Sequence, residues 1–166
     1  MTPGTLVTFG YTGLRGPADL RDLLRDHGVS VVVDVRLRPW STNRAFSVAT
    51  RRTVEEADFE YVHARGLGNV AYRTGGIEIA DLDAIEDVLA ILRAGRGAAL
   101  MCACSDPTEC HRSVLAEEAA RRLSGLRVVH LFSGPPGRCD ERLPARRRGV
   151  GSGAPFRARR VRWTVR

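Results

Sequence analysis

The sequence contains no lysine, and all 26 of its basic residues are arginine. It is also rich in alanine, glycine and valine, the signature of a high-GC coding bias, so the presence of arginine at any one position is weak evidence that a planar, bidentate fork was needed there. Cysteine is scarce too. Of Cys102, Cys104, Cys110 and Cys139, three fall within nine positions instead of being spread out to staple loops, which argues against a disulfide framework. No apolar run approaches the roughly 18 residues of a membrane span. Residues 1 to 20 lack the charged-then-apolar pattern of an export signal, so the expectation is a soluble cytoplasmic protein with no membrane partner. Acidic residues are missing from the C-terminal end: residues 142 to 166 hold nine arginines and no acid, whereas residues 1 to 141 hold 17 arginines against 19 acids. The net charge of +7 therefore belongs to the tail and not to the body of the chain.

What is present suits one ordinary domain. A length of 166 residues and an apolar fraction of 43% support a single full core and leave no room for two. The composition divides the chain into an α/β domain over residues 1–132 and a Gly, Pro and Arg-rich basic extension over 133–166. Only Val161 to Val165 of the extension resembles a strand, and most of it is expected to be flexible or ordered on a partner.

Within the domain, strands and helices alternate. Residues 5 to 9 read as a strand that breaks at Gly10-Tyr11-Thr12-Gly13, and residues 17 to 27 place Leu20, Leu23 and Leu24 on one helical face. Val29 to Val35 is β-branched and almost continuously apolar, as a strand covered on both faces should be. Residues 47 to 57 suggest a short helix, Phe59 to His63 a third strand, and residues 64 to 77 a Gly-rich loop. Residues 81 to 94 form a helix capped by Asp81, Ala98 to Cys104 a fourth strand, residues 111 to 123 an amphipathic helix, and Leu126 to Leu131 a fifth strand. The fold class predicted is a Rossmann-like, three-layer α/β/α domain with a mainly parallel sheet of about five strands.

In such a sheet the ligand site lies beyond the carboxyl ends of the strands. Tyr11 and Thr12 follow the first strand, Asp34, Arg36 and Arg38 the second, His63 the third, and Cys102, Cys104 and Asp106 the fourth, while Cys110, His111 and Arg112 open the next helix. A helix start offers unpaired N–H groups, and an arginine in the first turn adds a donor fork, so Cys110-His111-Arg112-Ser113 reads as an anion site. The same place would favour a Cys110 thiolate. Asp34, Cys102, Cys110 and His111 are thus the candidate catalytic residues, and Tyr11, Thr12, Arg36, Arg38, His63 and Arg112 the candidate anion or substrate contacts. The bland alternatives are a structural salt bridge for Asp34, a loop cap for His63 and a buried structural cysteine for Cys110; His27 and His130 are assigned to structure.

Two familiar chemistries fit poorly. Cysteine-dependent phosphatases place an Arg six positions after the nucleophile, whereas Cys102, Cys104 and Cys110 are followed at that distance by Thr108, Cys110 and Ala116. Cys102, Cys104, Cys110 and His111 could hold zinc, but their spacing matches no finger or ribbon. No cofactor is predicted, with zinc as the lesser alternative.

The motifs Gly10-Tyr11-Thr12-Gly13, Val33-Asp34-Val35-Arg36-Leu37-Arg38-Pro39, Glu60-Tyr61-Val62-His63 with Leu67-Gly68, and Cys102 through Cys110-His111-Arg112 resemble, in order, those of the domain-of-unknown-function family 488. The resemblance spans about residues 5 to 131. It implies a Rossmann-like domain with Asp34, Arg36, Arg38, Pro39, Cys102, Cys110, His111 and Arg112 as signature residues. In the family a Glu usually stands two positions after the strand cysteine, where this chain has Cys104.

Three functions remain open from sequence. The first is binding or processing of nucleic acid, the pocket taking a phosphate or an extruded base while Arg146, Arg147, Arg148, Arg157, Arg159, Arg160 and Arg162, with Phe156 and Trp163, engage the strand. The second is a small-molecule enzyme with Cys110 or Cys102 as nucleophile and Arg112 and Arg38 holding an anionic substrate. The third is a non-catalytic ligand-sensing module. Nucleic acid is the favoured partner.

Overall fold

The computed structural model describes residues 2–133. The expected properties of the extension fall on residues outside that range, apart from Ser133, which is buried and donates its hydroxyl hydrogen bond to the carbonyl of Gly10.

Five parallel strands form one sheet: β1 (Leu6–Gly10), β2 (Val29–Asp34), β3 (Glu60–His63), β4 (Gly97–Cys102) and β5 (Val128–His130). Four helices connect them: α1 (Pro17–Leu24), α2 (Thr50–Glu56), α3 (Ile85–Arg93) and α4 (His111–Arg122). Helices α1 and α2 bury Leu20, Leu24, Val54 and Ala57 against one face of the sheet, with Val7, Phe9, Val32 and Met101. Helices α3 and α4 bury Ile85, Val88, Leu89, Leu92, Leu115 and Ala119 against the other, with Leu6, Val31, Val33 and Leu100. This is the three-layer arrangement expected of apolar strands sandwiched between helices.

Elements are shorter than their sequence patterns at several ends, each for a local reason. The first helix stops at Leu24, and Gly28 then turns the chain with φ of 66°, a conformation open to glycine. The Asp81 carboxylate accepts from the N–H of Asp83, but it caps a single 3₁₀ turn, Leu82–Ala84, which feeds into α3. The Gly-rich loop contains two further 3₁₀ turns, Arg65–Leu67 and Tyr72–Thr74.

Strand order is β3-β2-β4-β1-β5, so β4 separates the first two strands of the chain. The register then decides where the site can be. Asp34 lies beside both His63 and Met101, and Gly10 beside Cys102, which brings the ends of four strands level at one edge.

Candidate functional site

Because side chains alternate along a strand, residues delivered to this common edge divide between the two faces of the sheet. Asp34, Arg36 and Tyr11 gather on the α1/α2 side, whereas Cys102, Cys110 and His111 gather on the α3/α4 side.

On the first side Arg36 folds back onto Asp34. Its Nε lies 2.8 Å from Oδ1 and its Nη2 2.6 Å from Oδ2, while the Arg36 backbone N–H and the Tyr61 hydroxyl add hydrogen bonds of 3.1 and 3.0 Å to the same carboxylate. The remaining guanidinium donors reach the Phe46 carbonyl at 2.6 Å and Thr50 Oγ1 at 3.1 Å. The Tyr11 ring stacks on Phe46 at 4.9 Å and receives the Arg36 guanidinium on its face at 4.9 Å. Burial works against the charge on Arg36, but Asp34 outweighs it and raises the arginine's pKa. Burial, reinforced by the Asp34 charge, pushes the Tyr61 phenol up. A fully buried carboxylate needs such partners. Nothing local in the sequence singles out Tyr61, Thr50 or the Phe46 carbonyl; the signal for such partners is the aspartate at the end of an otherwise apolar strand, which burial obliges to find donors.

On the second side, Cys102 ends β4, Cys110 is the residue before α4, and His111 is its first residue. His111 Nδ1 lies 3.7 Å from Cys102 Sγ and 3.8 Å from Cys110 Sγ, and Nε2 lies 2.9 Å from the Val35 carbonyl. A carbonyl only accepts, so Nε2 carries the hydrogen and Nδ1 faces the sulfurs. The Cys110 thiol, followed by His111, lowers the Cys102 pKa well below the ordinary thiol value, and the contact with Cys102 pushes Cys110 up. Burial opposes a charge on His111, yet Cys102 brings its pKa above the usual imidazole value. Among the described residues the three side chains form a cluster of metal-ligating type, their donor atoms within 4.8 Å of one another. Cys104 is not in that cluster.

Arg112 behaves differently from a surface anion contact. It is fully buried, and its guanidinium donates to the carbonyls of Cys104, Ser105 (3.2 Å) and Leu131 (3.3 Å), which ties the end of β4 to the segment after β5. Burial lowers its pKa. Arg112 Nε and Ser105 Oγ are buried and have no hydrogen-bond partner among the described residues. Thr12 is likewise turned inward, its hydroxyl donating to the Ala103 carbonyl at 2.5 Å.

His63 Nε2 lies 2.9 Å from the Arg36 carbonyl, so it pins the loop after β2 to β3. Of the predicted anion contacts, Arg38 alone is exposed, and no carboxylate of the described residues pairs with it. The tail residues Arg146, Arg147, Arg148, Arg157, Arg159, Arg160 and Trp163 lie outside the described range.

No helix of the described residues is long and apolar enough to cross a membrane. No curated protein and no solved structure matches the chain. The family described as "Domain of unknown function DUF488" matches over residues 17–78 and 70–119, a span that contains Asp34, Arg36, Cys102, Cys110, His111 and Arg112, and the chain belongs to that family.

Proposed function

We propose that this protein binds nucleic acid, in single-stranded form, across the surface made by the segments that follow β2 and β3. The observation that carries the reading is a segregation of unpaired charge. Elsewhere on the described surface the arginines are matched with carboxylates, as in Arg15–Asp19, Arg52–Glu56 and Arg122–Glu118, with Arg127 the exception. Arg38, Arg44, Arg65 and Arg73 have no such partner, and all four lie within residues 36–49 and 64–79. Four of the six exposed large apolar side chains are in the same two segments: Trp40 (65% exposed), Val48, Val70 and Ile77. The segments touch, since a side chain on Gly68 would collide with Leu37.

Cations without counter-ions favour an anionic partner, and an exposed tryptophan among them offers a stacking face for an unpaired base. The acid-free tail adds charge of the same sign. In this reading Arg36 and Arg112 hold the edge together and leave the phosphate contacts to the outer arginines. A cytoplasmic location accords with this class of partner.

The test is the salt dependence of binding to labelled single- and double-stranded DNA and RNA, with full-length protein and an Arg38→Ala/Arg44→Ala/Arg65→Ala variant. Each lost phosphate contact on a single strand should reduce the slope of log K against log salt by about 0.7, so about 2 for three. Trp40→Ala should weaken single-strand binding by roughly 1–3 kcal/mol and spare duplex binding. A triple variant with unchanged slope and affinity would exclude this surface.

A further inference from the structure

We infer that Cys102 Sγ, Cys110 Sγ and His111 Nδ1 are three ligands of a site for a thiophilic divalent cation of the zinc class, the fourth position being left to water or a substrate atom. The argument is geometric. In a tetrahedral site with legs of about 2.3 Å to sulfur and 2.0–2.1 Å to nitrogen, a sulfur and a nitrogen ligand stand about 3.6 Å apart. The two sulfur-to-Nδ1 separations here are 3.7 and 3.8 Å, and all three donor atoms fall within 4.8 Å of one another. The two sulfur-to-nitrogen edges of the cluster therefore have the dimensions of a coordination shell as they stand.

The histidine is also oriented as a ligand. Its Nε2–H is held by the Val35 carbonyl at 2.9 Å, so the Nδ1 lone pair must face the sulfurs. That outer hydrogen bond is the usual companion of a metal-bound imidazole, because it fixes tautomer and ring plane. The ligands sit on rigid elements, with Cys102 at the end of β4 and Cys110 and His111 at the start of α4. Cys110 makes no side-chain cap to its helix, so its sulfur is not committed to that task. Two thiolates and a neutral imidazole balance a dication, and this donor set selects zinc or its chemical relatives over magnesium or calcium, which prefer oxygen.

The inference is independent of the nucleic-acid reading, because the arginine surface and the sulfur cluster share no residue. Full-length protein stripped of metal and titrated with Co²⁺ should take up one equivalent with intense visible bands and sulfur-to-cobalt charge transfer, and Zn²⁺ should displace it. Cys102→Ser, Cys110→Ser and His111→Asn should each weaken uptake by 100-fold or more, whereas the triple arginine variant should leave the spectrum unchanged. X-ray absorption on the zinc-loaded wild type covers the case in which a variant fails to fold, and should count two sulfurs and one imidazole nitrogen. Absence of sulfur charge transfer, a different ligand count, or Co²⁺ binding indifferent to Cys102 and Cys110 would overturn the assignment.

Discussion

Asp34 and Arg36, two residues apart in sequence, meet in a bidentate ion pair with contacts of 2.6 and 2.8 Å, the carboxylate fully buried and the guanidinium 5% exposed. A buried pair of this kind contributes little beyond an apolar replacement, but breaking it strands a charge. Asp34→Ala alone should therefore cost about 3–5 kcal/mol in urea unfolding, and Asp34→Ala with Arg36→Met should recover much of that loss. Equal, additive losses would show that the two side chains act separately.

Arg112 should behave as a structural brace. Arg112→Met removes the donors to three carbonyls, and an unsatisfied buried acceptor costs about 1–3 kcal/mol. The expected loss is at least that of one such group. Arg112→Lys should rescue only part of it, because a point donor cannot span the same carbonyls. A thermal-unfolding midpoint unchanged in Arg112→Met would contradict the brace.

Close backbone approach at the sheet edge makes Gly10 a sensitive position. A Cβ there would collide with the Cys104 carbonyl and come within 2.9 Å of Arg112 Nη1. Gly10→Ala should destabilise by about 1–3 kcal/mol, as overpacking does. Gly76→Ala, whose Cβ would find only ordinary contacts, should stay within about 0.5 kcal/mol of the parent. Chemical denaturation of the pair decides the point.

Burial lowers the pKa of His130, whose Nδ1 lies 2.8 Å from Thr8 Oγ1. Protonation therefore favours the unfolded chain. The resulting stability is present above the ordinary imidazole value of 6.5 and is lost as pH falls through it toward the lower folded value. Between pH 7.5 and 5, stability of the wild type should fall more steeply than that of His130→Gln. Parallel curves would remove His130 from the account.

The element pattern was legible because helix and strand periodicity are local properties. Val29 to Val35 announced a doubly covered strand, and the leucines of residues 17–27 an amphipathic helix, before any tertiary contact was considered. The membership of the edge was legible as well, since residues that follow parallel strands share one end of a sheet. Of their partners, only the salt bridge of Asp34 was foreseeable, and Arg36 supplies it. The same alternation that puts Val33 and Val35 on one face puts Asp34 on the other, and this separates Asp34 and Arg36 from the sulfur cluster. Nor does an arginine's position in a helix start reveal whether it faces solvent, as Arg112 shows.

The sequence by itself determined the α/β class, the parallel sheet, the family and the concentration of positive charge in the tail, because each follows from composition, periodicity or ordered motifs. Only the tertiary structure decided the order β3-β2-β4-β1-β5, the convergence of two sulfurs on one imidazole, the burial of Arg112 and the choice of arginines left without counter-ions. These depend on which strand lies beside which and where each side chain ends, quantities set by packing between segments distant in the chain.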